Sequence, residues 1–307
     1  MTSPSSDSLA DTGELPVQAR RTLDPKLDVV FKLFFSRNQD LLVLLLTAVL
    51  RPSVPIVGVS LVSVALPKRA VEDKGGVLDV LVKLQDGRLI DVEMQCRAHP
   101  GLRERALFYW ARLYSSQVVV GAAHRSLPPC VSVFILSFAE LPGERFHRIF
   151  RVRDIEDGQE FSDALELHTV ELPKLPEVGG EDEPQLERWG RFLAAETDEQ
   201  LETLARSDPV MAKAKEALDI LSAEPSAREL ARQRELALWT YRFEMAVSRQ
   251  EGRAEGEQAL RVAVEGLCDL LELELSAERR ERLARMTLEE LRQLHEGLLH
   301  ERRWPED

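Results

Sequence analysis

Cysteine is scarce: Cys96, Cys130 and Cys268 are the only three in 307 residues, and no two form a Cys-x-x-Cys pair. A disulfide framework and a thiolate zinc site are thereby excluded, and a reducing cytoplasm suits the chain best. The six histidines are scattered without His-x-His or His-x-x-x-His spacing, which argues against a histidine metal centre. Long apolar runs are missing too. The longest, Leu41 to Leu50, is about half of the ~20 residues that a membrane span needs. No basic stretch followed by an apolar one opens the chain, which argues against a secretory signal. There is no glycine-rich phosphate loop and no Gly-x-Ser-x-Gly elbow, so two common routes to phosphate binding and nucleophilic catalysis are closed.

What is present describes a globular protein. Hydrophobic residues make up 44% and charged residues 30%, and the length exceeds the ~100–200 residues of a typical domain. The net charge of −13 is divided unevenly. Residues 1–153 hold 20 Lys+Arg and 15 Asp+Glu, a net +5, while residues 154–307 hold 20 and 38, a net −18. The acidity therefore belongs to the second half, and the first half is compatible with a polyanionic partner.

Residues 1–22, rich in Ser, Thr, Asp and Pro, read as a disordered lead. Asp24-Pro25 predicts a helix start, with Val29, Val30, Leu33 and Phe34 on one side. Asn38 predicts a break before a second helix, roughly Asp40 to Leu50. The period then changes to that of strands at Val57–Leu66, Val77–Leu84, Leu89–Gln95 and Val131–Phe138. Between the last two, Ala106, Tyr109, Trp110, Leu113 and Gln117 mark a helix over about Leu102–Val120. The order helix, three strands, helix, strand predicts an α/β layer with a mixed sheet, flanked by short strands near Arg145–Val152 and Ala164–Leu172. A Pro-, Gly- and acid-rich stretch at 173–184 predicts a boundary. An all-helical remainder follows, with a glycine-punctuated hinge at 251–256 and apolar stripes at Leu260, Val264, Leu267, Leu271 and at Leu288, Leu291, Leu294, Leu298. Ser276 is placed to cap the helix between them.

The segment Gly76 to Cys96 carries the chemistry. Alternation puts Asp79, Leu81 and Lys83 on one face of the first strand, and Asp91, Glu93 and Gln95 on one face of the next. A two-residue loop would oppose Asp79 to Met94. A three-residue loop, Gln85-Asp86-Gly87 with Gly87 in the left-handed position, pairs residues whose numbers sum to 172 and sets Asp79 opposite Glu93. The hydrophobic pattern selects this second register, because a one-residue slip exchanges the faces. Two carboxylates on adjacent strands repel unless a cation lies between them, and hard oxygen donors suit Mg²⁺. The alternative reading is a solvated polar face.

The ordered set Leu23 to Phe34, Asp73-Lys74 with Leu78-Asp79-Val80, Asp86-Gly87, Val92 to Gln95, and Arg105 with Tyr109-Trp110 and Leu113-Tyr114 resembles the PD-(D/E)XK nuclease superfamily. More narrowly, it is similar to its recombination-promoting nuclease (Rpn) and putative transposase family. The resemblance covers about residues 23–140. It implies a restriction-endonuclease-like core at 23–175, followed by an acidic helical region at 176–307. It also implies Mg²⁺ (or Mn²⁺) held by Asp79 and Glu93 with the Met94 carbonyl, and a further acid, Asp28, which otherwise reads as a solvated first-turn residue. Gln95 stands where the superfamily usually has lysine; an amide orients water but supplies no charge. Lys83 lies about 13 Å along the strand from Asp79, so Arg105 is the better candidate for the scissile phosphate, with simple surface solvation as its alternative. The implied function is metal-dependent DNA endonuclease activity linked to recombination or mobile elements. The competing expectation is a catalytically degenerate module that binds DNA or assembles through its C-terminal helices as a homo-oligomer.

Overall fold

The computed structural model describes residues 22–62, 80–98, 100–118, 127–177 and 183–305. Helices α1 (Asp28–Arg37) and α2 (Gln39–Leu50) open it. Strands β1 (Val59–Leu61), β2 (Val80–Leu84) and β3 (Leu89–Gln95) follow, then α3 (Leu102–Ser116) and β4 (Cys130–Leu136). Two further strands, β5 (His147–Arg153) and β6 (Glu160–Glu171), complete one six-stranded sheet of order β1-β2-β3-β4-β6-β5. Pairing is antiparallel from β1 to β3, parallel through β3, β4 and β6, and antiparallel again at β5. The expected mixed α/β layer is thus present, with both flanking strands.

Helices cover both faces of this sheet. Leu102 and Ala106 of α3 pack on Phe134, Leu136 and Leu167, while Leu113 packs on Leu81 and Cys130. On the opposite face Val80, Val82, Ile90, Val92, Met94, Val131, Val133 and Ile135 are buried, and α1 packs against β2 and β3 with Val30, Phe31, Phe34 and Phe35 enclosed. The polar face of β3, for which solvation was the alternative reading, is therefore covered. Asp91 is 2% exposed and Glu93 8%.

One helix start differs from expectation, and the break at Asn38 is where it was expected. The residues after Asp24 form a turn, in which the Lys26 amide donates to the Asp24 carboxylate, and α1 begins only at Asp28. Asn38 ends α1 and begins α2, which leaves the axis bent by 109°. Among the described residues no single helix is long and apolar enough to cross a membrane.

The chain divides into two compact units, Gln18–Glu235 and one that includes Leu236–Asp307. The first continues past residue 176 with α4 (Gln185–Ala194), α5 (Asp198–Ser207) and α6 (Pro209–Ala223), where Phe192 and Trp189 meet Phe34 and Phe35. Helix α7 (Pro225–Leu270) starts in the first unit and ends in the second. It runs through Gly252 and Gly256, so the hinge expected at 251–256 is helical. Each glycine costs ~1 kcal/mol there, and the Glu, Arg, Ala and Gln around them are strong helix formers that offset it. In the second unit α8 (Ala277–Arg285), capped by Ser276, and α9 (Leu288–Glu301) bring Leu283, Leu291, Leu294 and Leu298 together with Val264, Cys268 and Trp304.

Candidate active site on the β2–β3 hairpin

The hairpin turns through three residues. The Leu84 amide donates to the Arg88 carbonyl (2.9 Å), the Gly87 amide to the Leu84 carbonyl (3.1 Å), and Gly87 sits at φ +88°. Asp86 fixes the turn by accepting from the Arg88 amide and guanidinium. Val80 pairs with Val92, Leu81 with Asp91, Val82 with Ile90 and Lys83 with Leu89. Every pair sums to 172, the register that the alternation pattern selects. Asp79 itself lies outside the described residues.

Glu93 faces α3, in a row with Phe134 and Thr169 of the neighbouring strands. The side-chain amide of Gln95 donates to the Glu93 carboxylate at 3.1 Å. This bond orients Glu93 without placing a positive charge beside it. Met94 points its side chain into the opposite, buried face. A carboxylate, an amide and backbone carbonyls are hard oxygen donors, which fit Mg²⁺ or Mn²⁺ better than a soft metal. Among the described residues no group of three or more His, Cys, Asp or Glu side chains comes together that could hold an ion.

Asp28 is only partly exposed and lies close enough to Cys96 for its charge to act on the thiol. The Cys96 thiol donates to the Lys26 carbonyl, which ties the start of α1 to the end of β3. The Asp28 carboxylate there takes both arms of the Arg234 guanidinium from α7. Sequence reading missed Arg234, which is 206 residues away. Cys96 is inert: burial first, then the Asp28 charge, push its thiol up to about 12. Arg105 is exposed on α3 and lies over the Tyr109 ring, 5.4 Å from its centroid. Lys83 points to solvent. Tyr109, Trp110 and Tyr114 pack against Leu81, Leu113 and Cys130, and the Trp110 indole donates to the Cys130 carbonyl, so these rings serve mainly as core.

A second polar group had no signal in the sequence. Glu166 Oε1 accepts from His168 Nε2 (2.7 Å), and His168 Nδ1 in turn meets His147 Nε2 (2.9 Å). Burial, then the charge of His168 and Arg51, push His147 down to about 4. The spacing of 21 residues between the two histidines resembles no ligand motif.

Compared with families of known proteins, residues 25–246 match the PD-(D/E)XK nuclease family transposases. The chain belongs to that family. The match covers most of the first unit and extends into α7. No curated protein and no solved structure matches the chain. Family membership gives a nuclease- or transposase-type function, and the family's nucleases typically use divalent metal ions.

Proposed function

We propose that this protein is a metal-dependent DNA endonuclease acting in recombination or on mobile elements in the cytoplasm, with residues 23–175 as its catalytic domain. The observation that carries this reading is the 172 register. Continued by one residue beyond Val80 and Val92, it is the arrangement that opposes Asp79 to Glu93. Asp79 and Glu93 are then the residues to hold Mg²⁺ or Mn²⁺, with the Met94 carbonyl beside them. Bound there, such an ion polarises the phosphodiester and lowers the pKa of a coordinated water. Gln95 holds the Glu93 carboxylate in place and offers its remaining amide oxygen to the attacking water. Arg105 is the positive group for the scissile phosphate. Asp28, gripped by Arg234, joins α1 to the site as an outer carboxylate.

The test is nicking of supercoiled plasmid with Mg²⁺, Mn²⁺ or EDTA, beside Asp79→Ala and Glu93→Ala. Metal-dependent nicking lost in both variants is the expected result. Cleavage that survives both places the chemistry elsewhere. One observation favours a second reading, the degenerate binding module: the Gln95–Glu93 bond stands where the superfamily pattern has a lysine. DNA binding without cleavage in either metal would select it.

A further inference from the structure

The two flanks of α3 differ. At ~100° per residue, Arg103 and Arg105 project from opposite sides of the helix. Arg103 donates to the side chain and carbonyl of Glu140, whose own amide donates to Glu171 at the end of β6. That flank therefore faces the β6 side of the sheet. The other flank carries Arg105, Tyr109 and Arg112 on the β2 side, where Tyr109 joins the cluster around Leu81, and Phe108 adjoins it nearer the solvent side of the helix. The same cluster includes Leu89 of β3, the strand that carries Glu93 and Gln95.

This second flank combines two chemistries. The Arg105 guanidinium lies over Tyr109, and that of Arg112 over Phe108 at 5.5 Å. Phe108 is nevertheless 50% exposed, in a helix whose inner face is closed over the sheet. An exposed aromatic ring carrying one guanidinium, beside a second ring carrying another, matches a strand of nucleic acid, whose bases stack and whose phosphates pair with arginine. We infer that this flank of α3 binds a single DNA strand, with Phe108 as a base-stacking platform and Arg105 and Arg112 at the phosphates, so that the preferred substrate is single-stranded or locally opened DNA. The inference rests on the nuclease reading for its choice of ligand. Charge complementarity and continuity with the β2–β3 site are its grounds. The β5–β6 hairpin also exposes rings, but its six carboxylates from Asp154 to Glu166 outnumber its three arginines, which disfavours a polyanion there.

The measurement is fluorescence anisotropy of the full chain in EDTA, where nothing is cut, with labelled oligo(dT), its duplex with oligo(dA), and oligo(U). Oligo(dT) should bind more tightly than the duplex. Phe108→Ala should weaken oligo(dT) binding roughly 5- to 150-fold, the worth of one stacked base, and Phe108→Trp should restore it. Arg112→Gln should reduce the slope of log affinity against log salt by about 0.7. Phe161→Ala, a still barer ring on the β5–β6 hairpin, should change nothing. The proposal falls if Phe108→Ala binds oligo(dT) like the parent chain, if the duplex binds as well, or if only oligo(U) binds. It falls equally if Phe108→Ala changes the sedimenting mass and not DNA affinity, because the flank is then a contact between copies. Plasmid nicking in Mg²⁺ reads the two ideas separately. Cleavage with Phe108-independent binding overturns the flank alone, whereas Phe108-dependent binding without cleavage overturns the nuclease reading alone.

Discussion

The sheet contains two antiparallel hairpins of different character, β2–β3 and β5–β6. β2–β3 turns in three residues, keeps one register along its described length and lies inside the sheet, with β1 on one side and β4 on the other. β5–β6 turns through residues 154–159, shifts register twice beyond Arg151, and leaves β5 as an edge with Ile149, Phe150 and Val152 exposed. A strand clamped on both edges and both faces has one conformation available, because any slip would expose its core face. A strand at the edge tolerates bulges. Side chains that must meet a phosphodiester within a few tenths of an ångström belong on the first kind.

The comparison can be broken most severely through the carboxylates. Glu93→Gln should lower metal-dependent nicking about 10²- to 10⁴-fold, the usual effect of losing a positioned catalytic group. Glu160→Gln, a carboxylate on the other hairpin, should leave nicking within error of the parent chain. Equal losses would mean that the cleavage is not organised by β3. Stability gives the next contrast. Ile90→Ala, at a fully buried position, should cost about 2–5 kcal/mol in urea unfolding, and Ile149→Ala, half exposed, less than about 0.5 kcal/mol. If both variants unfold at the same midpoint, the buried and edge hairpins are not energetically distinct.

Smaller effects sharpen the picture at the turn and at the edge. Gly87 holds a left-handed conformation, and an added Cβ would reach Pro128 at 3.4 Å, an ordinary contact. Gly87→Ala should therefore cost only the backbone strain, about 1–2 kcal/mol by chemical denaturation. A loss well above that would show that the turn has other work. At the edge, His147 is held down to about 4 against an ordinary value near 6.5. The unfolded chain binds this proton first, so its contribution to stability is complete above pH 6.5 and fades as the pH falls toward 4. Melting temperatures between pH 7 and 4 should thus decline less steeply for His147→Asn, and parallel profiles would remove His147 as the cause.

Much of this site was legible because its determinants are local. Gln85-Asp86-Gly87 specifies a three-residue turn, and alternation from Val80 to Gln95 rules out the slipped register; both signals lie within twenty residues of one another. Asp28 was less legible. Its two readings, ligand or solvated helix start, left out a partner on α7, and no pattern near residue 28 announces Arg234. Phe108 was passed over in favour of Tyr109, Trp110 and Tyr114, since periodicity marks which residues share a helix face but not how much of a neighbouring ring the packing leaves bare.

What the sequence by itself determined is the short-range grammar: turn type, strand register, the α3 stripe that meets the sheet, and the capped helices of the second unit. These follow from backbone sterics and from burying one periodic face, which act over a few residues. Only the tertiary structure decided that the polar face of β3 lies under α3, that Gln95 takes the Glu93 carboxylate, that Asp28 pairs with a guanidinium two hundred residues on, and that α3 leaves Phe108 half exposed beside Arg112. Those outcomes depend on which surfaces meet when the layers close, and burial and charge pairing between distant segments are settled only at that step.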